Sequence, residues 1–352
     1  MAALAAIEIC LRAYLFDHVS YSNSASIDAQ LRSRKQEAGW THLFVGDSEV
    51  RWGIDPAAMD QGLLEGGLTA RSFNHAFDGF GATWWLKLLP QVLADPSLAE
   101  VKTVVVGIQL IDIHRVMSDT VQNCGALQKP VLTSPFAVDL GLDGLCNSRS
   151  WDAQLGRDLF NWLWIVRYAP AVRSAVLPKA FTPPVGLAFN SRSMGPPYRG
   201  FQPHHPIEYD KSDYAKELER WRAQYVPERD FRPMPKNAWR SLADQGGFFD
   251  ELQRVVGASG RRLALFALPT NPVVIDTFQR RADYLANSRV LAEWAAKHDV
   301  TYVDLGIQDR PDAMQFFSDM RHLSGIGAAD FSRRLGRFLA QSQGGKQQSG
   351  ME

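Results

Sequence analysis

The chain has 352 residues, 45% hydrophobic and 22% charged, so it can bury a large core and is too apolar for wholesale disorder. Lys+Arg and Asp+Glu both number 38, which gives no electrostatic reason to expect a nucleic-acid partner. The three cysteines, Cys10, Cys124 and Cys146, form no CxxC or Cys/His spacing, so no metal site and no cofactor are expected. Cys124 and Cys146 either pair in an oxidising compartment or remain two separate thiols.

In chain order, residues 1–38 come first. "MAALAAIEICLRAYLF" is apolar apart from Glu8 and Arg12 and is shorter than the roughly 20 residues of a membrane span. It reads as an amphipathic packing helix or as the tail of a membrane anchor that begins upstream. Short apolar runs at His42–Val45, Arg71–Asn74, Lys102–Gly107, Arg262–Ala267 and Thr301–Asp304 fit strands buried on both faces of a parallel sheet. Helical patterns alternate with them: a stretch from Pro56, then Thr83–Leu93, Ser241–Val256, Asp276–His298 and Gly325–Gln341. Strand and helix alternation predicts an α/β domain over 39–340 with helices on both sheet faces.

That alternation breaks at about 117–240, a stretch rich in Pro and aromatic residues, read as an insertion that forms a lid or substrate wall, or a structural appendage. His204-His205 lies in it, but adjacent histidines point apart and make a poor ligand pair. Residues 341–352 lack an apolar period and are expected to be disordered.

The chemistry gathers at two distant points. Gly46-Asp47-Ser48 follows the first strand, where α/β sheets bind ligands. A serine there needs a base to act as a nucleophile. Asp319-Met320-Arg321-His322, before the last helix, supplies one. A carboxylate three residues ahead of an imidazole can reach Nδ1–H, fix the tautomer and leave Nε2 for Ser48. Arg51 and Trp52 either contact substrate or pack at the surface. His75 and His114 sit near strand ends, with satisfied polar packing the plainer expectation. Trp84 and Trp85 read as core.

With these blocks the chain resembles the SGNH hydrolases, the GDSL-type esterases, over roughly residues 40–115 and 240–340. The resemblance implies a flavodoxin-like three-layer α/β/α sandwich with a mainly parallel sheet of about five strands, interrupted here by the long insertion. It implies a triad of Ser48, His322 and Asp319, with Asp47 in the nucleophile block. Asn74 and Gly79 match the family's second block, whose Gly N–H donates to the oxyanion, with Gly81 an alternative. The third block departs: Gly107 matches, but Gln109 stands where the family places an oxyanion Asn, and Asp112 lies further on. Losing one oxyanion donor costs about 10²–10³ in rate, so the substitution bears on function.

Within the family the chain looks most like envelope-anchored proteins that acylate or deacylate extracellular polysaccharide. "GDSEV", "IDP" and "DMRHLSGIG" carry that likeness. It implies an acylated glycan or small ester as substrate, a periplasmic or extracytoplasmic location, association with the membrane through the N-terminal helix, and an envelope complex as partner. A different class stays open: a non-catalytic carbohydrate-binding or assembly subunit on a degenerate SGNH fold. A nucleotide-binding protein is disfavoured, because no Gly-rich phosphate loop follows any strand.

Overall fold

A computed structural model describes residues 37–77, 82–111, 246–309, 313–319 and 321–348, with scattered positions between. Nearly all of them belong to one compact unit, residues 39–118 and 203–352. The N-terminal segment, most of the insertion and all three cysteines lie outside the described residues, as do Gly79, Gly81, Asp112 and His114.

Five strands form one all-parallel sheet: β1 (His42–Val45), β2 (Ser72–Asn74), β3 (Thr103–Ile108), β4 (Arg262–Ala267) and β5 (Thr301–Val303). Their order is β2-β1-β3-β4-β5, the flavodoxin-like order, with its switch point between β1 and β3. Register runs Leu43 opposite Val104 and Val104 opposite Leu263, so apolar side chains align across the centre. Leu43, Phe44, Val45, Val104, Val105 and Val106 are fully buried. Parallel strands covered on both faces need such unbroken apolar runs.

The helices are α1 (Ser48–Gly53), α2 (Pro56–Glu65), α3 (Ala82–Leu93), α4 (Phe248–Ala258), α5 (Pro272–Thr277), α6 (Arg281–Lys297) and α7 (Gly325–Gln348). The chain turns one way from β1 to β2 and the other way from β2 onward. Right-handed crossovers therefore send α2 to one face and α3, α4 and α6 to the other. α7 packs on α1 and α2, and α4 packs on α3, which completes a three-layer α/β/α sandwich.

The "IDP" stretch now has a structural cause. Asp55 caps α2 by accepting from Ala57 and Ala58 N–H, and Pro56 takes the first helical position, where a missing N–H costs nothing. α2 and α7 cross at glycines. A Cβ on Gly62 would sit 2.1 Å from the Arg333 carbonyl oxygen, and one on Gly336 2.5 Å from that of Met59.

Two expectations need correction. Asp276–His298 is not one helix: α5 ends at Thr277 and the chain turns through Gln279, whose φ is 54°. The last helix continues to Gln348, through residues expected to be disordered. No helix among the described residues is long and apolar enough to cross a membrane.

Candidate active site

The site is built where β1 ends. Gly46 closes the strand, and its carbonyl accepts from Trp85 Nε1 at 2.9 Å and from Phe77 N–H at 3.1 Å. Trp85 is fully buried, as expected of a core residue. Asp47 is the N-cap of α1, its Oδ1 accepting from Glu49 N–H at 2.9 Å. That cap bond gives Asp47 a structural role in the nucleophile block. Ser48 is thus the first residue of a helix, where backbone N–H groups lack intrahelical partners.

The opposite half lies in the loop 317–323, pinched shut by a bridge between Phe317 and Leu323. Asp319 Oδ1 accepts from Arg321 N–H at 2.8 Å and His322 N–H at 2.7 Å, which folds the turn around the carboxylate. Asp319 Oδ2 then pairs with His322 Nδ1 at 2.7 Å, and His322 Nε2 lies 2.8 Å from Ser48 Oγ. One chain of hydrogen bonds joins three residues that are up to 274 positions apart. Trp52 is buried, with its ring 6.0 Å from that of His322, and Arg51 is buried beside it. Both are therefore packed against the site, not spread on the surface.

Electrostatics follow from this packing. Removal from water pushes the Asp319 carboxyl up. The His322 hydrogen bond, the imidazolium charge and two backbone N–H donors outweigh that and hold it well below the usual carboxylate range. Removal from water pushes His322 down, but the bond to Asp319 and the charges of Asp319, Glu49 and Asp47 raise it above its ordinary 6.5. Asp319 thereby stays ionised, and His322 is a stronger base than a free imidazole.

Asn74 lies beneath the site. It is fully buried, and its Nδ2 donates to the carbonyls of Val50 at 2.9 Å, Arg51 at 3.2 Å and Ile54 at 2.9 Å. Its Oδ1 accepts from Ala76 N–H at 3.2 Å. A side chain engaged in this way holds the C-terminal end of α1 and presents nothing to a substrate. Gln109 stays near the site, but its Nε2 donates to Glu49 Oε2 at 2.8 Å and makes no hydrogen bond to Ser48. His75 is fully buried against Phe77 and Trp85, which fits packing. Among the described residues no cluster of His, Cys, Asp or Glu could hold a metal.

The sequence reading missed Glu49, Arg321 and Asn271, which line a recess together with Gln109. Glu49 and Arg321 are chain neighbours of Ser48 and His322, and adjacency was the one signal available. No protein-family model matches the chain, and no curated protein is significantly similar to it.

Proposed function

We propose that the protein is a serine-dependent esterase or O-acyltransferase of SGNH type, acting on an ester, foremost acetyl, of a cell-envelope or extracellular glycan. The observation that carries the catalytic part is the unbroken hydrogen-bonded chain Asp319–His322–Ser48 at the carboxyl edge of the sheet. The glycan and the envelope rest on the likeness of the two end blocks, which is why they are the first things to test.

In this reading Ser48 Oγ attacks the ester carbonyl carbon while His322 Nε2 takes its proton. Asp319 orients the ring and stabilises the imidazolium. The Ser48 N–H, an orphan donor of α1, faces the developing oxyanion, and the family resemblance implies the Gly79 N–H as its second donor. His322 returns the proton to the departing alcohol, leaving an acyl-serine. Water or a sugar hydroxyl, deprotonated by His322, then attacks the acyl carbon; the acyl–Oγ bond breaks and His322 passes that proton to Ser48 Oγ. The acceptor decides between hydrolysis and transfer.

Release of acetate from p-nitrophenyl acetate and from an acetylated glycan, with and without added sugar acceptor, tests the reading. Turnover that vanishes in Ser48→Ala supports it. Equal activity in Ser48→Ala sinks it. The rival reading, a carbohydrate-binding subunit, draws on the engagement of Gln109 by Glu49, and it predicts glycan binding with no turnover.

A further inference from the structure

His322 carries the proton in the proposed reaction, and two hydrogen bonds hold its ring in the resting protein. Asp319 Oδ2 pairs with Nδ1 at 2.7 Å, and Ser48 Oγ lies 2.8 Å from Nε2. The second bond is lost once Ser48 is acylated. An ester oxygen carries no proton, so Oγ can no longer donate to Nε2. Yet Nε2 must then face water or a sugar hydroxyl and take its proton. Deacylation therefore needs a further restraint on the ring, one that does not change when Ser48 does.

Trp52 fits that description. It stands four residues after Ser48 on α1, about one helical turn, which puts both side chains on the same side of the helix. Its ring centroid lies 6.0 Å from that of His322, with the planes tilted by 49°, inside the range over which aromatic rings attract. The indole is bulky and only 7% exposed, so its packed surroundings leave it little room to swing. The Arg51 guanidinium, 5.9 Å from the indole centroid, adds to that packing. The helix that carries Trp52 is itself fixed. Asn74 Nδ2 donates to the carbonyls of Val50, Arg51 and Ile54. A Cβ on Gly53 would lie 3.6 Å from Leu323 Cδ1, so the end of α1 abuts the residue after His322.

We propose that Trp52 is a positioning residue, whose indole backs the His322 imidazole and keeps Nε2 aimed at the attacking hydroxyl while Ser48 carries the acyl group. The assignment rests on the serine-hydrolase reading of Ser48. In acylation the Oγ bond and Trp52 act together, so loss of the indole is partly masked. In deacylation Asp319 and Trp52 hold the ring without Oγ, and the loss shows in full.

The test uses p-nitrophenyl acetate, which separates the two steps. Its kcat/KM reports acylation. Its kcat divided by the fraction of enzyme present as acetyl-enzyme at saturation, weighed intact after acid quench, is the deacylation rate. Trp52→Leu removes the flat ring and Trp52→Phe keeps one. Trp52→Leu should slow deacylation about tenfold more than acylation, so that acetyl-enzyme accumulates, and Trp52→Phe should recover most of the difference. Equal slowing of both steps is what general damage to α1 would give, and it overturns the proposal. So does no slowing of either step, or a Phe variant no better than the Leu variant. Circular dichroism reports whether each variant is folded. If Trp52→Leu does not fold, Trp52→Met, which also lacks a flat ring, is read in its place. If neither folds, the role of Trp52 is structural and the proposal falls. Failure of the catalytic reading is distinct: the wild type would then neither label with a fluorophosphonate at Ser48 nor take an acetyl group from the ester, and the proposal would fall with it.

Discussion

Three carboxylates act on the His322 ring, Asp319 by a direct hydrogen bond and Glu49 and Asp47 through space. A base must be neutral to accept the Ser48 proton, so activity is lost as pH falls through its pKa. Because that pKa is raised, the acid limb of kcat/KM should lie above 6.5. Glu49→Gln removes one stabilising negative charge, so the limb should move to lower pH, which a pH–rate profile reads directly. Asp319→Asn keeps an oxygen for the two backbone donors but cannot hold the Nδ1–H tautomer. It should lower kcat by about 10⁴-fold in steady-state assays, with little change in thermal stability. Ser48 and His322 were legible because Gly-Asp-Ser and Asp-x-x-His are local patterns. Asn271 was not, since the recess it lines forms only when the end of β4 lies beside that of β3.

At the scale of elements, α1 is held in place by its surroundings more than by its own propensity. Six residues make a marginal helix, and Asn74 ties its later carbonyls to the end of β2. Asn74→Ala should destabilise the fold by about 2–4 kcal/mol, seen in denaturant unfolding, because buried carbonyls lose a shared donor. The α2–α7 crossing makes a second prediction. Gly336→Ala places a methyl group against the backbone of α2 and should cost about 1–3 kcal/mol through overpacking. The strands were read to within one residue at each end, because doubly covered strands leave a continuous apolar run. The helices were read less well for identifiable reasons. Gln279 adopts a left-handed conformation with no glycine to announce it, so α5 and α6 looked continuous. Residues 341–352 lack an apolar period, yet α7 runs on to Gln348.

For the molecule as a whole, the sheet order explains why a nucleophile near the start of the chain meets a base near its end. β1 is an interior strand at the switch point beside β3, and its carboxyl end meets the loop that leads into α7 through Ser48 and His322. α7 begins directly after that loop, capped by Ser324, whose Oγ accepts from Gly327 N–H at 3.1 Å. The alternation of strand and helix made this arrangement readable, and the residues between the two blocks did not. Gln109 sits at a position that matches by count, but its amide turns to Glu49, a pairing of residues 60 apart that no local pattern encodes. The proposed chemistry depends on Ser48 being an activated nucleophile. Treatment of the purified protein with a fluorophosphonate, followed by mass mapping of the adduct, tests this directly, with His322→Ala run alongside. A single adduct on Ser48 that disappears in the folded His322→Ala protein is the predicted result. No adduct on folded wild-type protein, or equal labelling in both, would contradict it.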